Sequence, residues 1–221
     1  MSDRVLIVMD DAFELSTISD ALKLHGTNVI GEAQKLSTAL SLFRSMQPNV
    51  LLIDMHLGEE NSISVANAIR KLDSTIGVVI LAACADQRLL GEDNSQIPKG
   101  AKVVLKKSMN NVANLCNIIS ESRVLPSEST TTWVNGNLSL QEKAINNMLS
   151  QLTDLQIETL RLVASGLTNA EIGRMRFVSE KAVEQIVSRT AQVLNIQPDR
   201  GRNVRVQLVG EYFKWIGAPT H

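Results

Sequence analysis

An open, doubly wound α/β sheet followed by a small all-helical domain is the fold that this sequence predicts. Three observations predict it. Short apolar runs such as Val5-Leu6-Ile7-Val8-Met9 and Val50-Leu51-Leu52-Ile53 have the composition of strands buried on both faces. Segments with helical spacing of apolar residues separate these runs. Beyond a polar stretch near residue 130 the strand-like runs stop, and only helical periodicity remains.

In order, the Val5–Met9 run is a first strand that ends in Asp10-Asp11. From Ala12 to Gly26 a helix places Phe13, Ile18, Leu22 and Ala21 on an apolar face, with Gly26 as its stop. Thr27 to Ala33 is a short strand, and Leu36, Ala39, Leu40 and Phe43 mark a helix halted before Pro48. The Val50–Ile53 strand runs into Asp54, and Met55-His56-Leu57-Gly58 leads away from it. Ile63, Ala66, Ile69 and Arg70 fit a third helix, and Gly77 to Ala82 a fourth strand. Gly91 and Pro98 make any helix between Ala85 and Lys99 short or irregular. Gly100 to Ser108 reads as a turn, a strand and a basic exit, and Met109 to Ser122 as a closing helix. This alternation gives a five-stranded parallel sheet of the flavodoxin-like plan, with Asp54 leaving the third strand.

If the strands ending at Asp10-Asp11 and Asp54 are parallel neighbours, three carboxylates meet at the carboxyl edge of the sheet, where such folds hold ligands. Like charges a few Å apart force a pKa upward unless a cation joins them. A hard divalent ion taking oxygen ligands, Mg²⁺ first among them, meets that need. Lys107 closing on Asp54 would place a fixed charge beside a phosphoryl group. The acid pair, the strand-end Asp54 and the Gly100-Ala101 to Lys107 segment resemble the receiver domain of two-component response regulators, over Arg4 to about Arg123. The resemblance implies that a sensor histidine kinase phosphorylates Asp54. It also implies that Asp10, Asp11, Asp54 and the backbone carbonyl of His56 hold Mg²⁺. Two departures stand out: Ala82 replaces the family's Thr or Ser, and Val104 its Tyr or Phe. Without those groups, phosphorylation has less differential free energy with which to shift a conformational equilibrium. Gly58 in place of a common Pro is a smaller change.

Composition narrows the rest. A chain of 221 residues with 44% hydrophobic content suits one large or two small globular domains, and a formal charge of −1 gives no overall nucleic-acid signature. No apolar run approaches the ~20 residues that span a bilayer, and no signal peptide opens the chain, so a cytoplasmic protein with no membrane partner is expected. Cys84 and Cys116 lack metal-site spacing and read as reduced thiols. No further nucleophile or general base accompanies the acids, which speaks against a free-standing enzyme.

The expected domains are 1–123, a linker at 124–138, and 139–221. Ser, Thr, Asn, Pro and Gly dominate the linker, interrupted by Trp133-Val134, whose aromatic Trp133 is suited to docking on a domain face. In the last domain Thr153 caps a helix that ends at Gly166, Leu167-Thr168-Asn169 turns the chain into a second helix, and Ser179 caps a third, Glu180 to Leu194. That spacing is a helix-turn-helix, whose third helix faces a DNA major groove. Leu152-Thr153, Leu160, Ala164, Gly166 to Asn169, Glu171-Ile172, Ser179, Val183 and Leu194 resemble the LuxR-type domain of the NarL/FixJ class of response regulators.

Lys181, Glu184, Gln185, Ser188 and Arg189 are the candidate DNA-contacting side chains. Ala182-Val183-Glu184 replaces the family's Thr-Val-Lys, and Ile186 its His, so altered affinity and base preference are expected. From Leu152 onward nine basic residues face seven acidic ones, a net of only +2, with the densest basic spot at Arg200 to Arg205. A last helix, Asn203 to Trp215, carries Val204, Leu208, Tyr212 and Trp215 on one stripe, suited to core packing and, as in the resembled class, to a homodimer on DNA. The expectation is a phosphorylated, DNA-binding transcription regulator; the alternative is an atypical, phosphorylation-independent regulator or protein-interaction module.

Overall fold

The computed structural model describes all residues except 1–2, 58–59, 85, 91–96, 110, 124–130, 135–139, 198–200 and 217–221. Most of the expected linker, Gly58 and Arg200 therefore lie outside the described residues.

The first part alternates as expected: β1 (Arg4–Val8), α1 (Ala12–Leu24), β2 (Asn28–Ala33), α2 (Leu36–Met46), β3 (Val50–Asp54), α3 (Ser62–Leu72), β6 (Gly77–Ala82), β7 (Lys102–Leu105) and α4 (Val112–Glu121). Two short strands, β4 (His56–Leu57) and β5 (Glu60–Asn61), form a small antiparallel hairpin after β3. All five residues of β3 and all six of β6 are buried, as strands covered on both faces require. With β8 (Thr132–Val134), the sheet runs β2-β1-β3-β6-β7-β8, with every pair parallel. The sixth strand, β8, comes from the segment expected to be linker. Its Thr-Trp-Val sequence has strand composition, and pairing Trp133 with Val103 covers what would otherwise be an open sheet edge.

The apolar face of α1 differs from expectation. Leu15, Ser19 and Leu22 are buried, whereas Phe13 is 81% exposed. The buried row accepts a serine because the Ser19 hydroxyl donates to the Glu32 carboxylate at 2.6 Å, so its polar group is satisfied. Asp11 caps this helix by accepting the Glu14 N–H at 2.7 Å.

The second part holds α5 (Leu140–Ser150), α6 (Asp154–Ala164), α7 (Asn169–Arg176), α8 (Glu180–Val193) and α9 (Val204–Trp215). Its core gathers Leu149, Leu152, Ile157, Leu160, Leu194 and Trp215. By contacts the chain forms two units, Met1–Ala83 with Ser95–Asn137, and Cys84–Asn94 with Leu138–His221. The 3-10 turn of the β6–β7 connection falls in the second of these units. Between β6 and β7 a 3-10 turn spans Gln87–Leu90, which fits the short, irregular element expected there.

Candidate functional site

The carboxyl edge of the sheet is built by register. Val8 of β1 lies beside Ile53 of β3, Asp54 beside Leu81 of β6, and Ala82 beside Leu105 of β7. The strand exits carrying Asp10-Asp11, Asp54 and Lys106 therefore open at one end of the sheet. Asp54 is only 4% exposed. One of its oxygens accepts the His56 N–H at 3.2 Å, and the other accepts from the Lys106 ammonium. Lys106 also reaches Glu14 of α1, at 2.9 Å from Oε2.

Lys106, one position before the expected Lys107, thus has its ammonium on Asp54. β7 ends at Leu105 and the chain turns at once into a 3-10 turn, Lys106–Ser108, which aims the first lysine into the crevice and leaves Lys107 exposed. Sequence reasoning also missed Glu14. Its signal was available: it sits one position short of a helical turn beyond Asp11, on the first turn of the helix that opens at the acid pair.

The acids are dispersed in their commitments. Asp10 accepts the Asp11 N–H at 3.0 Å, Asp11 caps α1, and both are exposed. Among the described residues no group of three or more His, Cys, Asp and Glu side chains is placed to hold a metal ion. The Lys106 ammonium supplies a countercharge for Asp54. The donors at this edge are nonetheless all hard oxygens, the chemistry that Mg²⁺ requires.

Burial pushes the Asp54 carboxyl above the usual carboxylate range, against the attraction of Lys106 and the His56 N–H, which favour its charged form. Burial alone would lower the Lys106 ammonium, but Asp54 and Glu14 together carry it above the usual lysine value. Ala82 and Val104 are both buried and offer no hydroxyl beside Asp54.

In the helical unit, capping fixes three successive helix starts. Thr153 with Gln156 and Thr168 with Glu171 form complete capping boxes, and the Ser179 hydroxyl accepts the Ala182 N–H at 3.2 Å. The turn between α7 and α8 is tight: the Val178 N–H donates to the Gly173 carbonyl at 2.9 Å, and a Cβ on Gly173 would stand 2.8 Å from the Val178 carbonyl oxygen. On α8, Val183, Thr190 and Ala191 face the core. Lys181, Glu184, Gln185, Ser188 and Arg189 are all exposed on the other side. The basic spot near α9 is partly committed, since Arg205 donates to the Leu167 carbonyl and to Asn169 Oδ1 at 2.7 Å.

A parallel sheet whose central strand delivers a buried aspartate to a lysine, joined in one chain to a helix-turn-helix unit, defines a receiver-type regulator. The chain belongs to the response regulator receiver domain family, whose model matches residues 5–120. It is similar to the DNA-binding transcriptional activator EvgA of Escherichia coli K12, with 22% identity over 86% of this chain and 91% of that relative. It is also similar to the transcriptional regulatory protein LnrK of Bacillus subtilis, with 26% identity over 88% of this chain and 91% of that relative. Among solved structures it resembles the two-component response regulator RcsB in its complex with DNA, with a TM-score of 0.55 and 17% identity over 98% of this chain and all of that one. At that identity the likeness concerns the fold.

Proposed function

We propose that this chain is a DNA-binding transcription regulator whose sheet unit accepts a phosphoryl group on Asp54 from a sensor histidine kinase. The observation that carries the reading is Asp54 itself: a buried carboxylate at the carboxyl end of the central strand, with an ammonium on one oxygen and a backbone N–H on the other. In the transfer an Asp54 oxygen attacks phosphorus, the bond from phosphorus to the donor nitrogen breaks, and the imidazole leaves with that electron pair. Lys106, already at the acceptor, neutralises charge on the phosphoryl oxygens. Mg²⁺ is the proposed cofactor, held by Asp10, Asp11, Asp54 and the backbone carbonyl of His56; when bound it supplies charge neutralisation that one lysine cannot supply alone.

Output runs through α8, whose exposed Lys181, Glu184, Gln185, Ser188 and Arg189 form the proposed DNA-reading face. The relatives' printed roles in transcription support this reading. Val206 and Phe213 remain exposed on α9, which supports a homodimer when DNA is bound. No helix among the described residues is long and apolar enough to cross a membrane, and a cytoplasmic site of action is proposed. Intact-mass measurement after treatment with a small phosphodonor tests the reading. A single phosphoryl adduct that needs Mg²⁺ and is lost in Asp54→Asn is expected; no adduct in the native chain refutes it. The apolar Ala82 and Val104 favour one second reading, a regulator that binds DNA without regard to phosphorylation.

A further inference from the structure

Among the described residues three that are not glycine hold a positive φ: Gln47, Phe177 and Asn195. Asparagine reaches the left-handed region at little cost, because its short polar side chain can bond locally, whereas a bulky aromatic there is an outlier. Phe177 closes α7 at φ 56° and ψ 39°, with its N–H on the Arg174 and Gly173 carbonyls. The turn dictates that conformation: the Val178 N–H donates to the Gly173 carbonyl at 2.9 Å, an approach that only a residue without a Cβ at position 173 allows. Glycine or asparagine is what such a helix end ordinarily carries.

The side chain adds a second cost. Phe177 is 96% exposed and belongs to neither apolar cluster of the helical unit. Met175 and Val178 beside it are exposed as well. A large apolar residue held in a strained backbone position, with no packing in return, marks a contact made outside the fold. Its place in the chain says which contact. Phe177 stands two residues before Ser179, the N-cap of α8. That is the end of a reading helix whose first turns meet base edges in a groove. The exposed Lys181 and Gln185 follow it on α8, and the exposed Arg174 precedes it on α7, with Glu180 the one acid between Arg174 and Lys181.

Resting on the reading of α8 as the DNA-binding helix, we propose that Phe177 packs on the apolar surface of the duplex at the groove edge, either a thymine C5-methyl or a deoxyribose. Such a contact adds affinity without charge and releases no counterions. From Leu152 onward nine basic residues face seven acidic ones, so attraction for phosphates is weak and an uncharged contact supplements it.

Titration of the full chain at several salt concentrations tests the contact, on a duplex recovered by the native chain from a random-sequence pool and prepared in thymine and uracil forms. Phe177→Gly should weaken binding by roughly fivefold or more with an unchanged salt slope, while Phe177→Leu, which keeps an apolar side chain, should stay within about twofold of the native chain. Phe177→Gly also relieves the left-handed strain, so thermal unfolding should show a chain at least as stable as the native one. The uracil duplex separates the two surfaces. If Phe177 meets a thymine methyl, uracil should cost the native chain the same factor and leave Phe177→Gly unaffected; if it meets deoxyribose, uracil should affect both chains equally. Full affinity in Phe177→Gly overturns the contact and leaves the DNA reading standing. A loss that comes with a flatter salt slope overturns it too, because a phosphate-binding cation has then been displaced. So does a loss that comes with dissociation of a DNA-free dimer in sedimentation, which gives Phe177 to a second copy of the chain. Recovery of no duplex by the native chain overturns the DNA reading and this contact with it.

Discussion

Asp54→Asn should stabilise the sheet unit at neutral pH even as it removes the proposed phosphoryl acceptor. In the native chain burial raises the Asp54 pKa above its unfolded value, so the folded state binds more protons than the unfolded state between the two values. The stability contributed by this group is fully present below the unfolded value and is lost as pH rises through the folded one. At pH 7 the charged carboxylate is therefore a net liability, which the isosteric amide removes. Lys106 already offsets part of the cost of the buried charge, so the gain is the remainder that burial leaves, and it should appear as a higher Tm of the sheet unit at pH 7.

Lys106→Met should act in the opposite direction, because it strips the ammonium from both Asp54 and Glu14. Breaking a buried ion pair costs about 3–5 kcal/mol, and the 23% exposure of the Lys106 side chain reduces this to about 2–3. The assay is thermal and urea unfolding at pH 7 and near pH 3.5, following the sheet unit. The Asn variant should gain at pH 7 and converge on the native chain in acid. An Asn variant less stable than the native chain at pH 7, or a gain that grows in acid, would refute the reasoning that burial outweighs Lys106 at this site.

Three further outcomes follow from the helical unit. Gly173→Ala brings a Cβ within 2.8 Å of the Val178 carbonyl, so the usual helix-propensity gain reverses to a loss of about 1–3 kcal/mol, read by urea unfolding. Phe177, left-handed at φ 56° and 96% exposed, should give about 0.5–1 kcal/mol of stability on replacement by Gly, measured the same way. Glu184→Lys exchanges an exposed carboxylate for an ammonium on the proposed DNA face; it should strengthen binding to random duplex and steepen its salt dependence by roughly one to two ion equivalents, measured by titration at several salt concentrations.

The fold was legible where pattern is dictated by burial. β3 and β6 are apolar runs because both faces are covered, and the three capped helices around Thr153, Thr168 and Ser179 were marked by their caps. Legibility failed where one residue's direction depends on distant geometry. Lys106 and Lys107 are equivalent in composition, and only the 3-10 turn after β7 brings the Lys106 ammonium to Asp54. Phe13 carried the stronger hydrophobic signal, but Ser19 took the buried row through a hydrogen bond to a residue thirteen positions away. Thr132–Val134 looked like linker because its neighbours are polar, and it became a strand because β7 offered an edge. Nothing local announced that Arg88 would donate to the Leu149 and Leu152 carbonyls, more than sixty positions later.

The electrostatics of Asp54 also bear on why its lysine is shared. If Lys106 paired with Asp54 alone, the two charges would cancel and the phosphoryl group would arrive at a site with no net attraction for it. Sharing the ammonium with Glu14 leaves the crevice acidic overall before the exposed Asp10 and Asp11 are added. Such a site repels an incoming phosphoryl group unless further positive charge is recruited, and a hard divalent cation is the form that an all-oxygen donor set accepts. The proposed phosphorylation of Asp54 should therefore be conditional on Mg²⁺. Glu14→Gln should relax that condition: the cation concentration giving half-maximal adduct yield should change less than the yield at vanishing Mg²⁺, which should rise. An unchanged Mg²⁺ dependence in Glu14→Gln would mean that Glu14 takes no part in setting the charge of the site.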